Sequence, residues 1–266
     1  MATFPLITAN DDQFPAVWHT GPIDVDGNTQ PITSNIYDPF RSDVILQTSV
    51  TTAELIDVSP LANALSKAGS GGGPAYTAAD PLFGGPVYDL SNGTHRLLVS
   101  DAFISSLFGN EEWTVELQLK GVSIGSNPYF MSLSTPDFGE WSVGTTISFS
   151  LGVNGLTYTA TGAAPNLLTQ FNHIVLQRNN TADSGFAFFE IGINGVRVAV
   201  SGLFTKTLSM SLGAGATTLL GYSFGSALVK ANEIRFVKNQ RVYNMSTDYA
   251  TPLAYTPQSA PHPVGP

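Results

Sequence analysis

The chain has 266 residues, 42% of them apolar and 12% charged, and its 11 basic against 20 acidic residues give a net charge of −9. The charged share is about half the roughly 25% of an average soluble protein, and Lys and Arg are scattered singly, which excludes the positive footprint that nucleic-acid binding needs. Cysteine is absent, so disulfides, thiolate nucleophiles and thiolate metal sites are excluded, and no run approaches the ~18 apolar residues of a membrane helix.

No positive n-region or apolar h-region follows Met1, so no secretory signal is expected and synthesis in a cytoplasm is predicted. Over 1–36, turn residues recur every few positions (Pro5, Pro15, Gly21-Pro22, Asp26-Gly27-Asn28, Pro31) between short apolar pieces. This predicts an extended arm or a pair of short edge strands, packed on its own domain or on a neighbouring chain. Residues 40–50 read as a first strand. Leu61 and Leu65 stand at i, i+4, which allows one helical turn over 61–67. The glycine-rich run 68–74 lacks the Lys-Ser/Thr of a phosphate loop and reads as a flexible surface loop. Segments 87–90 and 96–99 look like paired strands around Ser91-Asn92-Gly93-Thr94, and 101–108 allows a short helical turn. Over 113–119, Trp113, Val115, Leu117 and Leu119 alternate with Thr114, Glu116 and Gln118, which predicts a half-buried strand with the polar set facing outward. Strands at 129–134, 145–151 and 156–161 follow, the last two joined by the hairpin signal Asn154-Gly155.

The strongest local pattern lies at 170–201. His173, Val175 and Gln177 alternate with Asn172, Ile174, Leu176 and Arg178, which predicts a strand over 171–178 and then a turn over 179–185. The run 186–193 is dense in aromatic and β-branched residues and ends at Asn194-Gly195. That dipeptide accepts φ > 0 at both positions, as a two-residue type I′ hairpin requires. Val196, Val198 and Val200 form the returning strand. Segments 203–212, 217–222 and a strand from Glu233 complete about twelve to fourteen short strands with almost no helix, which points to a two-sheet sandwich. The end, 251–266, holds five prolines and reads as an extended tail. Such a tail needs a groove to lie in, on its own sandwich or on a neighbour.

The segments FNHIVLQRN and FFEIGINGVRV resemble the central hairpin of concanavalin A-like (laminin-G-like) jelly rolls. The run Glu233-Ile234-Arg235-Phe236-Val237-Lys238, continuing to Tyr243, resembles the last strand of such domains in bacteriophage proteins, and the exit Thr251-Pro252-Leu253-Ala254-Tyr255 fits it. Residues 38–46, Asp80-Pro81-Leu82-Phe83-Gly84-Gly85 with 87–90, and 112–117 are similar to further strands of the family in the same order. The resemblance implies an all-β, two-sheet jelly roll over 37–255, with an N-terminal arm at 1–36 and a proline-rich tail at 256–266. It also implies a non-enzymatic virion structural protein of a tailed bacteriophage, located in the virion. Three roles compete there: a tail-fibre or baseplate-associated protein binding host surface glycans, a capsid decoration (cement) protein clamping shell subunits, and a glycan-cleaving enzyme of the same fold. The implied partners are other copies of the chain, other virion proteins and host surface polysaccharide, with no nucleic acid and no membrane insertion. No cofactor is expected.

Glycosidases of this superfamily carry Glu-x-Asp-x-x-Glu on one strand, which places two carboxylates for acid and nucleophile work. Here Glu112 and Glu116 share a face, but Thr114 stands where the central Asp is wanted, so two solvent-facing carboxylates and no hydrolysis are expected. His19, His95, His173 and His262 lie far apart without a metal-ligand spacing, and His173 reads as a packed strand residue. No Gly-x-Ser-x-Gly elbow is present. Asp24, Asp26 and Asn28 alternate around Gly27 without the downstream acid of a calcium loop. They read as turn formers, as do Asp137 and Asp183. No metal ligand is assigned. Sugar binding uses exposed rings stacked on pyranose faces. Tyr129, Phe138, Trp141 and Tyr158 lie in or beside loops, and Tyr129, Trp141 and Tyr158 are taken as the carbohydrate-binding candidates, with core packing competing at each. Sparse charge and proline-punctuated termini predict a subunit of a symmetric assembly, a trimer or a ring around a virion axis.

Overall fold

Alternation of apolar and polar residues, rather than helical periodicity, sets the local structure throughout. The computed structural model describes residues 24–25, 28–29, 38–48, 55–82, 85–92, 94–99, 109–123, 140–143, 146–153, 156–183, 185–207, 217–221 and 228–258. Among the described residues there are seventeen strands, two single-turn 3-10 segments (Arg41–Asp43 and Ser70–Gly72) and no α-helix.

A nine-stranded sheet dominates. Its path runs β14 (Val196–Val200), β13 (Phe186–Ile193), β12 (Asn172–Asp183), β8 (Trp113–Ser123), β17 (Leu228–Lys238), β6 (Gly85–Leu90) and β5 (Ala75–Leu82). Off this path β15 (Phe204–Thr205) pairs with β13, and β3 (Val44–Gln47) pairs with β17. Two three-stranded sheets accompany it: β11 (Leu156–Ala163), β10 (Thr146–Val153) and β9 (Glu140–Val143) in one, β16 (Thr217–Leu220), β7 (Arg96–Val99) and β4 (Leu65–Ala68) in the other. β1 (Asp24–Val25) and β2 (Asn28–Thr29) form a separate short hairpin, as the arm's turn residues suggest. All these pairings are antiparallel.

One core joins the layers. Trp113, Val115, Leu117 and Leu119 of β8 meet Ile174 and Leu176 of β12, Phe189 and Ile191 of β13, and Ile234 and Phe236 of β17. Ile147, Phe149 and Ala160 close it from one small sheet, and Leu97, Val99 and Leu220 from the other. The Phe149 ring stands edge-on to Phe189 across the layers, with centroids 6.5 Å apart. The architecture is therefore an all-β antiparallel sandwich, as the alternation predicts. At one end of the core, the buried guanidinium of Arg178 donates to the carbonyls of Gly109 and Lys206 and lies over the Phe204 ring, 5.2 Å from its centroid. Burial lowers its pKa to about 10 despite Glu111 and Glu112.

The hairpin at Asn194-Gly195 forms as its sequence requires. Ile193 pairs with Val196, and φ is 48° at Asn194 and 90° at Gly195. Four expectations change. β12 does not stop at Arg178 but runs to Asp183, because Asn179 is buried and hydrogen-bonded on the sheet. Segments 87–90 and 96–99 do not pair with each other: β6 joins β17 and β5, and β7 joins β4 and β16 in another sheet. The helical turn over 61–67 is absent, and Leu65 opens β4 instead. The glycine-rich run is held in place, since Ser70 and Thr94 share a 2.8 Å hydrogen bond and His95 Nε2 meets the Ser70 carbonyl at 3.0 Å. The expected turn at 101–108 and the strand at 129–134 lie outside the described residues.

Candidate functional site

Among the described residues, the second face of the large sheet carries most of the buried polar side chains. Alternation sends Thr114, Glu116 and Gln118 of β8 away from the core, and the register places them beside their neighbours: Thr114 opposite Gln177, Gln118 opposite His173, and Glu116 between Val175 and Arg235. Gln177 in turn stands opposite Glu190 of β13. Thr114, Glu116 and Gln118 were expected to face solvent. Instead they are buried, together with His173, Gln177, Glu190, Glu233 and Arg235. The cover is residues 239–258, a strap that leaves β17 and crosses back over the sheet.

Glu116 is the first hub. Its Oε1 accepts from Arg235 at 2.7 Å, and its Oε2 lies 3.1 Å from His173 Nε2 and accepts from the Tyr243 hydroxyl. Arg235 also pairs with Asp38. Burial lowers the Arg235 pKa, but Glu116 and Asp38 outweigh it, and the net direction is upward. Burial, and then Glu116, push the Tyr243 phenol well above its usual value. The His173 ring accepts the Gln258 backbone N–H at Nδ1, 3.2 Å away. With Nδ1 an acceptor, the geometry fits the neutral tautomer carrying its proton on Nε2, aimed at Glu116.

Glu190 is the second hub. Its Oε1 accepts from Gln177 at 2.7 Å and Asn179 at 3.2 Å, and its Oε2 from Ser246 at 2.8 Å. Glu233 is the third, accepting from Gln47 at 2.7 Å and from Gln258 at 2.5 Å. A buried charge is costly unless it is paired and hydrogen-bonded, and the strap supplies a share of the partners at each hub.

The strap's own sequence explains its seating. Met245 and Ser246 are its buried residues, and Tyr249 stands perpendicular to Phe188 at 5.3 Å. Asp248 turns the chain by accepting the N–H groups of Ala250 and Thr251 at 2.8 and 2.7 Å. These bonds, led by Thr251, lower the Asp248 pKa. Tyr255 then donates its N–H to Gly195 at 2.9 Å, and Val196 bridges Ala254. Gly192 leaves the room for this: a Cβ there would clash with Met245 Sδ and stand 2.6 Å from the Tyr255 hydroxyl. His173, Tyr243 and Tyr255 complete a ring cluster, Tyr243 and Tyr255 lying 5.0 Å apart.

The chemistry open to this face is limited by access. A His–Glu–Tyr grouping resembles acid–base machinery, but with His173 2% and Glu116 1% exposed no substrate atom reaches it while the strap is seated. The glycosidase pair is not assembled: Glu112 precedes β8 and accepts the Asn180 N–H at 3.0 Å, whereas Glu116 is consumed in the network. His173 is a packed strand residue, as expected, while His19 and His262 lie outside the described residues. Among the described residues no group of three or more His, Asp or Glu side chains is placed to hold a metal. Asp24 and Asn28 belong to the β1–β2 hairpin, Asp183 pairs with Phe186 at the end of β12, and Asp26 and Asp137 lie outside the described residues.

Of the carbohydrate candidates, Trp141 and Tyr158 fall among the described residues. Tyr158 on β11 is half-buried, packed against the core with its ring 5.1 Å from Phe204. Trp141 on β9 is the register partner of Phe149. Tyr129 and Phe138 lie outside the described residues. β10 and β11 instead show exposed hydroxyls, with Ser148 bonded to Thr161 at 2.6 Å and Ser150 to Thr159 at 2.9 Å.

No family model and no curated protein matches the sequence. Solved structures do. The binding domain of Paraclostridial Mosquitocidal Protein 1 superposes with a TM-score of 0.57 at 9% identity, over 76% of this chain and 51% of that one. The botulinum neurotoxin serotype D/C binding domain gives 0.55 at 13% identity, over 76% and 50%. A structure of botulinum neurotoxin type C, described as depending on two ganglioside molecules to get into cells, gives the same TM-score, identity and coverage. The chain thus spans about half the length of these proteins, and at such identities the likeness defines the fold alone.

Proposed function

We propose that the chain is a non-enzymatic attachment module of a tailed-bacteriophage virion, tail-fibre or baseplate-associated, that binds host surface glycans and works as one subunit of a symmetric assembly. The observation that carries the binding reading is the fold's likeness to toxin binding domains at TM-scores of 0.55 to 0.57. The phage setting rests on the resemblance of the hairpin, the Glu233 strand and the segments before them. The burial of Glu116 and Glu190 in mutually satisfying networks supports a binding role over hydrolysis.

Sugar contact is assigned to the aromatic set Tyr129, Trp141 and Tyr158. A decoration protein would instead use its arm and tail to clamp shell subunits. The test combines a glycan array with labelling of purified particles by antibody. Binding to bacterial polysaccharides that weakens tenfold or more in Trp141→Ala or Tyr158→Ala, with label at the tail, supports the reading. Label spread over the head with no glycan bound supports decoration, and release of reducing ends by the wild type supports an enzyme.

A further inference from the structure

We propose that the groove beneath the strap also accepts the strap of a second copy, so that neighbouring subunits exchange residues 239–258. This rests on the assembly reading above and names the surface that would join the subunits. The groove's occupant is a segment of this chain. The contacts that hold it come from the sheet: Thr114 donates to the Gln240 carbonyl at 3.0 Å, Gln177 to that of Tyr243 at 2.6 Å, and Gln118 to Gln258. An identical groove on a neighbour offers the same partners. Exchange therefore conserves every strap–sheet contact and changes only the connection through which the strap arrives.

Three features make the departure feasible. The strap's internal fold travels with it, because the Leu253 N–H bonds the Met245 carbonyl at 2.7 Å and the Asp248 turn is local. The seam is rich in polar groups, so a strap in transit leaves Glu116, Glu190, Glu233 and Arg235 to water, which solvates charge well, and the apolar surface uncovered with them, Phe188 and Met245, is covered again on arrival. The connection is a single point. β17 ends at Lys238, and Asn239 is exposed with φ 61°. The strap's first sheet contact follows at Gln240, so rotation at Asn239 redirects the whole strap toward a sandwich lying beside the end of β17.

Concentration decides which groove is filled. A short tether holds the strap at an effective concentration on the order of millimolar in its own groove. Dilute chains therefore keep their own straps, and copies crowded on a symmetric particle trade them.

The Val196–Ala254 bridge supplies the test, since the chain has no cysteine. Tyr255 N–H reaching Gly195 marks Val196 and Ala254 as a non-hydrogen-bonded pair, with Cα atoms about 4.5 Å apart, inside disulfide range. Chains carrying only Val196→Cys are mixed with chains carrying only Ala254→Cys, co-refolded at about millimolar concentration and oxidised, and the linked products are separated under denaturing conditions. Exchange predicts hetero-linked pairs well above the 1:2:1 distribution of random linkage, and a hetero-linked share that falls about tenfold on tenfold dilution before oxidation. The double variant, with both substitutions in one chain, controls for folding: dilute and oxidised, it closes within the chain. Locked in that form it is expected to lose the oligomer seen by light scattering. An oligomer with random linkage, or one unchanged by the lock, overturns strap exchange while leaving assembly intact. A monomer with no hetero-linked product at millimolar concentration overturns both.

Discussion

The Gln177 side chain pairs with the backbone of Tyr243 in both directions. Its Nε2 donates to the Tyr243 carbonyl at 2.6 Å, and its Oε1 accepts the Tyr243 N–H at 3.3 Å. A side-chain amide thus does for the strap what a neighbouring strand does in a ladder. The same Nε2 donates to Glu190, so one residue couples the strap's backbone to a buried carboxylate. Gln177→Leu keeps the volume and removes these bonds together with the longer one from Thr114 Oγ1 at 3.5 Å. Each buried polar group left without a partner costs about 1–3 kcal/mol, so a loss of about 2–4 kcal/mol is expected. Urea unfolding reads it as a lower midpoint at unchanged slope.

The Asp38–Arg235–Glu116 chain separates desolvation from attraction. Removing only the cation, by Arg235→Met, strands two carboxylates in a buried site and is expected to destabilise by about 3–5 kcal/mol. Adding Asp38→Asn and Glu116→Gln removes the stranded charges and is expected to recover part of that loss. A triple variant no more stable than the single one would show that the charges are not the main cost.

Gly195 serves the hairpin and the strap at once. Its φ is 90°, and a Cβ would stand 2.7 Å from the Tyr255 carbonyl oxygen. Left-handed backbone at a non-glycine residue costs on the order of 1–3 kcal/mol, so Gly195→Ala is expected to lose at least that much. Hydrogen exchange should locate the damage: the Tyr255 amide, bonded to Gly195, should lose protection before the amides of β8.

Tyr243 and Tyr255 set an alkaline limit. Burial raises both phenols, and Glu116 adds to the effect at each. A raised phenol means that folding favours the neutral form. The associated stability is therefore complete below the usual value of 10.0 and is lost as pH climbs past it. Denaturant midpoints should fall above about pH 10, with part of the tyrosinate absorbance appearing only on unfolding. Tyr243→Phe is expected to start lower at neutral pH and to fall less steeply in alkali.

The hairpin was legible because its determinants are local: Asn194-Gly195 fixes the turn, and the alternating residues on each side fix the strands. The burial of the second face was not, because Thr114, Glu116 and Gln118 alternate as any solvent-facing set does. Their cover, Tyr243, Met245 and Gln258, arrives more than a hundred residues later, and no spacing announces it. Pairing of β6 with β17 was hidden for the same reason, since a short polar turn between 87–90 and 96–99 suggests a hairpin whether or not the strands share a sheet. Tyr158 shows the limit for site residues. Its position near a hairpin turn suits a sugar platform and core packing equally, and Phe204, its actual neighbour, is remote in sequence.

The strap's far end can be tested by shortening. Thr256 to Gln258 lie beyond the expected domain limit, yet Gln258 alone donates its N–H to His173 and its side-chain amide to Glu233, and it accepts from Gln118. A chain ending after Tyr255 leaves these three groups to water at the groove's mouth, and the entropy recovered by the freed residues offsets part of the loss. A net cost of about 1–3 kcal/mol is expected, and at roughly 2–4 °C per kcal/mol for a domain of this size the melting temperature should drop by about 2–12 °C. Gln258→Ala in the full chain separates the side chain from the backbone contact and should give a smaller drop, because the N–H still reaches His173. A shortened chain that melts with the wild type would place the strap's holding energy at Tyr243, Met245 and Ser246, and would leave the Gln258 contacts without a part in stability.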